Sequence, residues 1–451
     1  MGGGLLQLVA YGAQDAYLSG NPHITFWKIL YKRHTNFAME AFRVNFTGSP
    51  VYGQRMVATV NRNADLVWKT YVEVTLPDTR ASATGKANNV LWTGGARRRL
   101  GYLLLQQIEV EIGGQVIDRH YGEWLYLWET LTADFDTAVK LDTMTGGRQP
   151  ALAGTTSSVD SCGGRPGVLY IPLQFWFNRN PGLALPLIAL QYHEVRFNIT
   201  LADATDLVSK GDWTSVSQAA ANLPALRDMA LYIDYVYLDV DERRRFAQES
   251  HEYLIEQLQY TGQQQIATSS ARLDLTLNHP VKELIWVFQD ARKTDCGSAT
   301  TASAGYTQPF SYDDIVDRAR LQINGQDRFD ERYGDYFWKV QRYQHHTGGG
   351  FGAVSSAVVN TTDTSATDPL VLGDLNPINV YSFAVRPEEH QPSGTCNFSR
   401  IDNATLVFDS INAQGTSFVP SKNTPCNFRV YAVNYNVFRI MSGMGGLAYS
   451  N

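Results

Sequence analysis

Cysteine is scarce and scattered. The chain of 451 residues has four, at Cys162, Cys296, Cys396 and Cys426, with no CxxC pair and no zinc-ligand spacing. A disulfide scaffold needs a denser set, so these read as free thiols in a chain that folds in a reducing compartment. No apolar run approaches the ~18 residues of a membrane-crossing helix. The opening MGGGLLQLVAYGAQDAYLSGNP has no basic stretch ahead of an apolar one, so no secretory leader is expected. Leu6 stands where a myristoylation motif after Gly2 would need Ser or Thr. A basic excess is missing too: Lys+Arg 38 against Asp+Glu 44 gives a formal charge of −6. Nucleic-acid binders normally show a basic surplus or stripe, so no direct contact with nucleic acid is expected. Phosphate-binding, dinucleotide and G-x-S-x-G motifs are absent from the text.

What the chain does have is aromatic and β-prone. Aromatics make up 12% of it, with Tyr 24 and Phe 20, and hydrophobic residues 44%. Aromatic side chains suit a pleated, half-buried surface. In QIEVEI, Ile108, Val110 and Ile112 alternate with polar residues; RLDLTL (272–277) and EVRFNITL (194–201) alternate likewise. Such period-two runs predict antiparallel strands with one face buried. DLVWKTYVEVTLP (65–77) and LYIDYVYLDV (231–240) are longer and more apolar, as expected of strands buried on both faces. Helical spacing is rare. Tyr121, Trp124, Leu125, Trp128 and Leu131 mark one short helix, and Tyr333, Tyr336, Phe337 and Val340 mark another. Four polar stretches rich in Gly, Ser, Thr and Ala (77–89, 144–167, 290–310 and 345–369) interrupt the β runs and read as loop insertions at one end of a sandwich. The basic clusters ARRRL (96–100) and DERRRF (241–246) read as solvated loops or domain-contact charge networks.

One phrase occurs twice. EIGGQVIDRHYGEW (111–124) is matched by QINGQDRFDERYGDY (322–336). The turn Gly113-Gly114 corresponds to Asn324-Gly325 at an offset of 211, and GG and NG between alternating apolars predict type I′ hairpins, which need positive φ at both central residues. With one residue inserted, Asp118, Tyr121, Gly122, Glu123 and Trp124 match Asp330, Tyr333, Gly334, Asp335 and Tyr336 at an offset of 212. VLYIPLQFWF (168–177) then stands opposite NVYSFAV (379–385), QYHEVRFNITL (191–201) opposite SRIDNATLVF (399–408), and LYIDYVYLDVDERRRF (231–246) opposite RVYAVNYNVFRIM (429–441). A turn, a helix and the following strands repeated in one order predict an internal duplication. An all-β protein follows: two tandem eight-stranded antiparallel sandwiches, jelly rolls being the expected form, with short helices and long loop insertions. The expected division is an N-terminal assembly segment over 1–26, one jelly roll over 27–242 and a second over 243–451.

Long, unusual strings also resemble a known family. QLVAYGAQDAYLSGNPHITFWKILYKRHTNFAME (7–40), PGLALPLIALQYHEV (181–195), RFAQESHEYLIEQLQ (245–259), INGQDRF (323–329), QPSGTCNFSRIDNATL (391–406) and the ending NYNVFRIMSGMGGLAYSN resemble major capsid proteins of large icosahedral double-stranded DNA viruses. The resemblance is closest to the algal, chlorella-virus type and spares only the long loops. It implies a double jelly roll, a homotrimeric, near-hexagonal capsomer, and an icosahedral shell tiled by such capsomers. The implied partners are neighbouring capsomers, minor capsid proteins and, indirectly, an internal virion membrane. The implied location is the virion, with assembly in the host cytoplasm and no cofactor. Proteins of this type are glycosylated, often outside ordinary sequons.

Candidate sites are few. The carboxylate pairs Asp239/Asp241, Asp134/Asp136 and Asp313/Asp314 sit where solvated turns are expected, and His345-His346 lacks a third ligand nearby in sequence. His193-Glu194 heads a strand and reads as a structural hydrogen bond. No catalytic or metal site is expected, and no enzyme. Of the Asn-x-Ser/Thr sequons, Asn45 and Asn198 lie in strand-like text, while Asn360, Asn397 and Asn403 are glycosylation candidates. Two other functions fit a double sandwich: glycan binding or cleavage, which predicts a monomer with affinity for sugars, and DNA packaging, which predicts salt-sensitive DNA binding.

Overall fold

A computed structural model describes residues 12–27, 31–79, 90–92, 99–146, 167–209, 215–291, 309–348, 377–411 and 425–449, with Gly3, Gly4, Ala10 and Pro420. Cys162, Cys296, Asn360 and nearly all of the four long polar stretches lie outside the described residues. Two compact units result, Met1–Phe37 and Ala38–Asn451. In the first, a 3-10 turn Ala13–Asp15 runs into one helical turn, Ala16–Ser19. The Gly12 N–H donates to Asp15 Oδ2 at 2.8 Å, and the Ser19 hydroxyl donates to the Asp15 carbonyl at 2.8 Å. Tyr17, Leu18, Ile24, Phe26 and Trp27 of this unit are exposed.

The second unit contains sixteen principal strands in two sets of eight. The first set is β1 (Phe37–Asn45), β2 (Arg55–Thr59), β3 (Leu66–Thr75), β4 (Leu105–Ile112), β5 (Gln115–Tyr121), β6 (Val168–Pro172), β7 (Val195–Leu201) and β8 (Asp228–Leu238). The second is β9 (His251–Ile266), β10 (Ala271–Asp274), β11 (Pro280–Asp290), β12 (Val316–Ile323), β13 (Gln326–Asp327), β14 (Asn379–Ser382), β15 (Ala404–Ile411) and β16 (Cys426–Met441). The first set pairs as β1-β8-β3-β6 and β2-β7-β4-β5; the second pairs as β9-β16-β11-β14 and β10-β15-β12-β13. Adding eight to every label of the first sandwich gives the second. This two-sheet arrangement of eight antiparallel strands is a jelly roll, so the chain is a double jelly roll. Helix α3 (Val240–Gln248) runs between them, with the Arg243 Nε 3.0 Å from Asp65 Oδ1 of the first sandwich.

The duplicated phrase folds alike in both halves. The turn residues have positive φ: Gly113 59°, Gly114 84°, Asn324 51° and Gly325 76°. A glycine leads into the following helix each time, Gly122 as its first residue and Gly334 two residues ahead of it. A Cβ on Gly122 would lie 1.9 Å from the Tyr102 carbonyl and 2.4 Å from that of Leu105, the first residue of β4. A Cβ on Gly334 would lie 2.1 Å from the carbonyl of Val316, the first residue of β12. The same close approach recurs because the same corner is built twice. In the first copy an α-helix follows, α1 (Gly122–Thr132), and then α2 (Phe135–Met144). In the second, a π-helical turn Tyr336–Val340 leads into α-helix Gln341–His345.

Among the described residues, two large apolar clusters hold the unit, beside two small ones. One fills the second sandwich, with Leu284, Trp286 and Phe288 of β11 facing Leu321 and Phe408. The other fills the first sandwich and continues without a break onto the outer face of the second, taking in Ile285, Val287, Tyr431 and Val433. Burial of a large apolar side chain contributes roughly 1.5–3 kcal/mol, so this shared core joins the two halves strongly. It also explains α1, in which every residue from Trp124 to Leu131 is buried: one side packs on its own sandwich and the other on its neighbour.

Two expectations need correction. Strands β3 and β8 were expected to be buried on both faces, but Trp68, Tyr71, Glu73, Tyr232 and Asp234 remain half-buried and Lys69 exposed; among the described residues, α3 reaches only one end of that face, where Phe246 packs in one cluster with Trp68. The double burial occurs instead in β11 and β16. Of the two readings of the ARRRL cluster, the solvated loop fails at Arg99, which is buried in a charge network with Glu129, Asp142 and Thr145, while Arg97 and Arg98 lie outside the described residues.

Candidate assembly surfaces

The seam between the sandwiches is built from α1 and β5 on one side and the outer face of the β9-β16-β11 sheet on the other. Glu123, in the first turn of α1, reaches across to Arg429 of β16, with Nε and Oε2 2.7 Å apart. The Tyr431 hydroxyl donates to the same carboxylate at 2.6 Å and the Tyr312 hydroxyl at 3.0 Å. The remaining Arg429 donors reach Gln263 Oε1 at 3.0 Å and Gln289 Oε1 at 2.6 Å. Burial would lower the guanidinium pKa, but the Glu123 charge outweighs it and raises it. Burial, then the same carboxylate, pushes the Tyr312 and Tyr431 hydroxyls well above the usual phenol range, which keeps them protonated as donors. Around this pair the aromatic rings interlock: Tyr121 with Tyr260, Tyr260 with Tyr431, and Tyr431 with Trp124.

A second ionic group lies along the same seam. Glu256 of β9 stands 2.9 Å from Arg179 Nη1 and 2.8 Å from Lys282 Nζ, with His390 Nδ1 at 3.7 Å. Burial would raise the Glu256 carboxyl, but the neighbouring His390 and the charges of Lys282 and Arg179 bring it down to about 2. The Arg179 guanidinium also lies over the Trp128 ring, 4.3 Å from its centre, a cation–π contact. Nearby, His346 is clamped by Glu283 (Nε2 to Oε2 3.1 Å) and Glu388 (Nδ1 to Oε1 3.0 Å). Burial would lower its pKa, but the two carboxylates raise it to about 9, so the imidazole is charged at neutral pH. The next residues hold the C-terminus of α1: the Thr347 hydroxyl donates to the Thr132 carbonyl at 3.3 Å and the Gly348 N–H to that of Leu131 at 2.8 Å.

At β5 the contact is backbone-directed. Asp118 Oδ1 accepts the Leu258 N–H of β9 at 3.1 Å, and the Gln257 amide donates to the Ile117 carbonyl. A Cβ on Gly113 would collide with His193, whose Nδ1 lies 2.9 Å from the Gly445 carbonyl near the chain end. His193 thus joins the two halves.

The glycosylation candidates are not brought together. Asn397 is exposed at the edge of β11, and its Oδ1 accepts the Ser399 N–H at 3.1 Å. Asn403 is exposed ahead of β15, and its N–H donates to Asn324 Oδ1 of the second hairpin turn at 3.2 Å. Asn198 is buried and donates to Glu111 Oε2 at 2.8 Å. Sequence reasoning missed the Glu256 and His346 groups. The available signal was Lys282-Glu283, two charges inside the otherwise apolar strand PVKELIWVF. Among the described residues, no group of three or more His, Cys, Asp or Glu is placed to hold a metal ion, and no helix is long and apolar enough to cross a membrane.

Comparison with known proteins gives a consistent result. Residues 25–239 match the family described as major capsid protein N-terminus, and residues 242–349 and 365–446 match the large eukaryotic DNA virus major capsid protein family. The chain is 49% identical over 458 residues to the major capsid protein of Pyramimonas orientalis virus, and 40% identical over 488 residues to that of Paramecium bursaria Chlorella virus 1, each covering 100% of both chains. Among solved structures, it resembles the chain in the quasi-atomic model of the PBCV-1 virus capsid, with TM-score 0.72, 35% identity, and 95% of this chain and 100% of that one covered. The Faustovirus major capsid protein shares the fold, with TM-score 0.66 at 13% identity, covering 96% of this chain and 95% of that one.

Proposed function

This chain belongs to the family of large eukaryotic DNA virus major capsid proteins, and from that premise we propose that three copies close into a capsomer whose six sandwiches imitate a hexagon. It is a structural protein of the virus shell. The trimer reading is supported by one observation above all: a single strand order is used twice, in two sandwiches that share a buried seam. A chain that carries two equivalent wedges supplies two sixths of a ring, so three chains complete it, and a near-hexagonal unit can tile the flat faces of an icosahedral shell.

On this reading residues 1–26 serve as an assembly segment ahead of two jelly rolls at 27–242 and 243–451. The capsomer meets its neighbours and minor capsid proteins, meets an internal virion membrane only indirectly, and touches no nucleic acid. Assembly takes place in the host cytoplasm. Asn360, Asn397 and Asn403 are the positions offered for glycans. Light scattering on the purified protein tests the trimer. The expected mass is three times 50.3 kDa, holding through dilution; a stable particle of 50.3 kDa at every concentration overturns it.

A further inference from the structure

The duplication makes the internal seam a template for a second one. Within the chain, α1 and β5 of the first sandwich seat on the outer face of the second. The repeat of α1 in the second sandwich is the segment Tyr333–Tyr343: at an offset of 212 Glu123 becomes Asp335, and from there the π-turn Tyr336–Val340 shifts the register, so Val340 and Tyr343 answer to the Trp128–Leu131 end of α1 by region. Trp128 and Leu131 are 6% and 0% exposed, whereas Val340 and Tyr343 are 40% and 88% exposed. The second segment is therefore built like the first but covered on one side only.

The seat is repeated as well. Both third strands break register, β3 across Trp68–Lys69 and β11 at Lys282. Matching these breaks displaces β11 from β3 by 214, and then the core-facing sets agree, Thr70, Val72 and Val74 with Leu284, Trp286 and Phe288. The strand pairs Tyr71–Tyr232 and Ile285–Tyr431 then fall on the same rung. So Tyr232 stands where Tyr431 stands, and Tyr431 is the residue that donates to Glu123. On the first sandwich this face carries Tyr71 stacked on Tyr232 with ring centres 5.1 Å apart, and Tyr170 edge-on to Tyr71. It is the face whose sequence reads as doubly buried and whose side chains Tyr71, Glu73, Tyr232 and Asp234 are only half-buried.

We propose that this tyrosine face of the first sandwich seats the Tyr333–Tyr343 segment of a second copy of the chain, with Asp335 accepting a hydrogen bond from the Tyr232 hydroxyl as Glu123 accepts one from Tyr431. The charges are complementary: Lys69, Glu73 and Asp234 on the seat sum to −1, while the exposed Asp335 and Lys339 of the arriving segment, with Arg332 just ahead of it, sum to +1. Each copy has one seat and one segment to offer, so the contact is head-to-tail, and a ring closes when the external step repeats the internal one. The inference rests on the trimer reading above and says which surfaces make the trimer.

The test combines the variant Tyr232→Cys with Asp335→Cys in one chain, treated with a short bis-maleimide, beside each single variant. The double variant is expected to run as a covalent trimer on a denaturing gel, and the single variants as monomers. In parallel, Tyr343→Glu alters a side chain that packs little in the isolated chain. It is expected to raise the trimer's dissociation concentration roughly tenfold or more, as loss of an aromatic anchor does, with the circular dichroism spectrum unchanged. A wild-type trimer that gives no cross-linked product in the double variant and is indifferent to Tyr343→Glu overturns this seat and leaves the trimer standing. A wild-type protein that never trimerises overturns both.

Discussion

Glu123 and Arg429 stand 2.7 Å apart across the join between the two sandwiches, 306 residues apart in sequence and both largely withdrawn from water. A buried pair of this kind is costly to break, because the surviving partner keeps its charge without its counter-ion. Glu123→Gln is expected to lower unfolding stability by about 3–5 kcal/mol, read by urea denaturation, whereas Glu123→Leu with Arg429→Met costs much less. A single variant that costs no more than the double one contradicts this role.

Acid and alkali act on different groups. Glu256 has a folded pKa of about 2 against 4.5, so its contribution is complete above pH 4.5 and is lost as pH falls towards 2. His346 is raised to about 9 from 6.5, so its contribution is complete below pH 6.5 and is lost as pH rises through 9. Each shift corresponds to roughly 3 kcal/mol. From these two groups, melting temperature against pH should be flat between about 4.5 and 6.5 and fall on both sides. Glu256→Gln should flatten the acid limb and leave the alkaline one, whereas His346→Gln should flatten the alkaline limb and also ease the acid one, because His346 holds the Glu388 carboxyl low.

Gly122 and Gly334 are required by the same corner, used twice. Gly122→Ala and Gly334→Ala push a methyl group into backbone carbonyls at 1.9 Å and 2.1 Å, so each is expected to destabilise by about 1–3 kcal/mol or more. Gly122→Ala should be the worse, since two carbonyls meet its Cβ. Thermal melts of both variants check this, and wild-type stability in either one removes the argument from close approach.

Glycan mapping separates the sequons by burial. Asn397 and Asn403 are exposed, while Asn198 is 3% exposed and hydrogen-bonded to Glu111. Peptide mass mapping of protein taken from virions is expected to find Asn198 unmodified; a glycan there would contradict its placement in β7.

Much of the architecture was legible because it is local. The turns at Gly113-Gly114 and Asn324-Gly325, the alternation in β4 and the spacing of Trp124, Leu125 and Trp128 all follow from rules that act over a few residues. The repeat was legible because its parts keep their order. The ionic groups were not: Glu256 draws on Arg179, Lys282 and His390 from three distant segments, and no local pattern announces such a meeting. The faces of β3 and β8 show a different kind of gap. Their sequence reads as buried on both sides, and one chain buries one side. The second helix also departs from simple spacing, since a π-turn at Tyr336–Val340 shifts its register.

The claim beneath all of this is that one sandwich, used twice per chain, lets three chains stand in for six. Electron cryomicroscopy of the purified protein at side-chain resolution tests it most directly. The account predicts a closed threefold particle with six sandwiches around its axis, in which Asp335 of each copy meets Tyr232 of the next. A particle without a threefold axis, or a threefold one joined through other faces with the Tyr71–Tyr232 surface left in solvent, would contradict it.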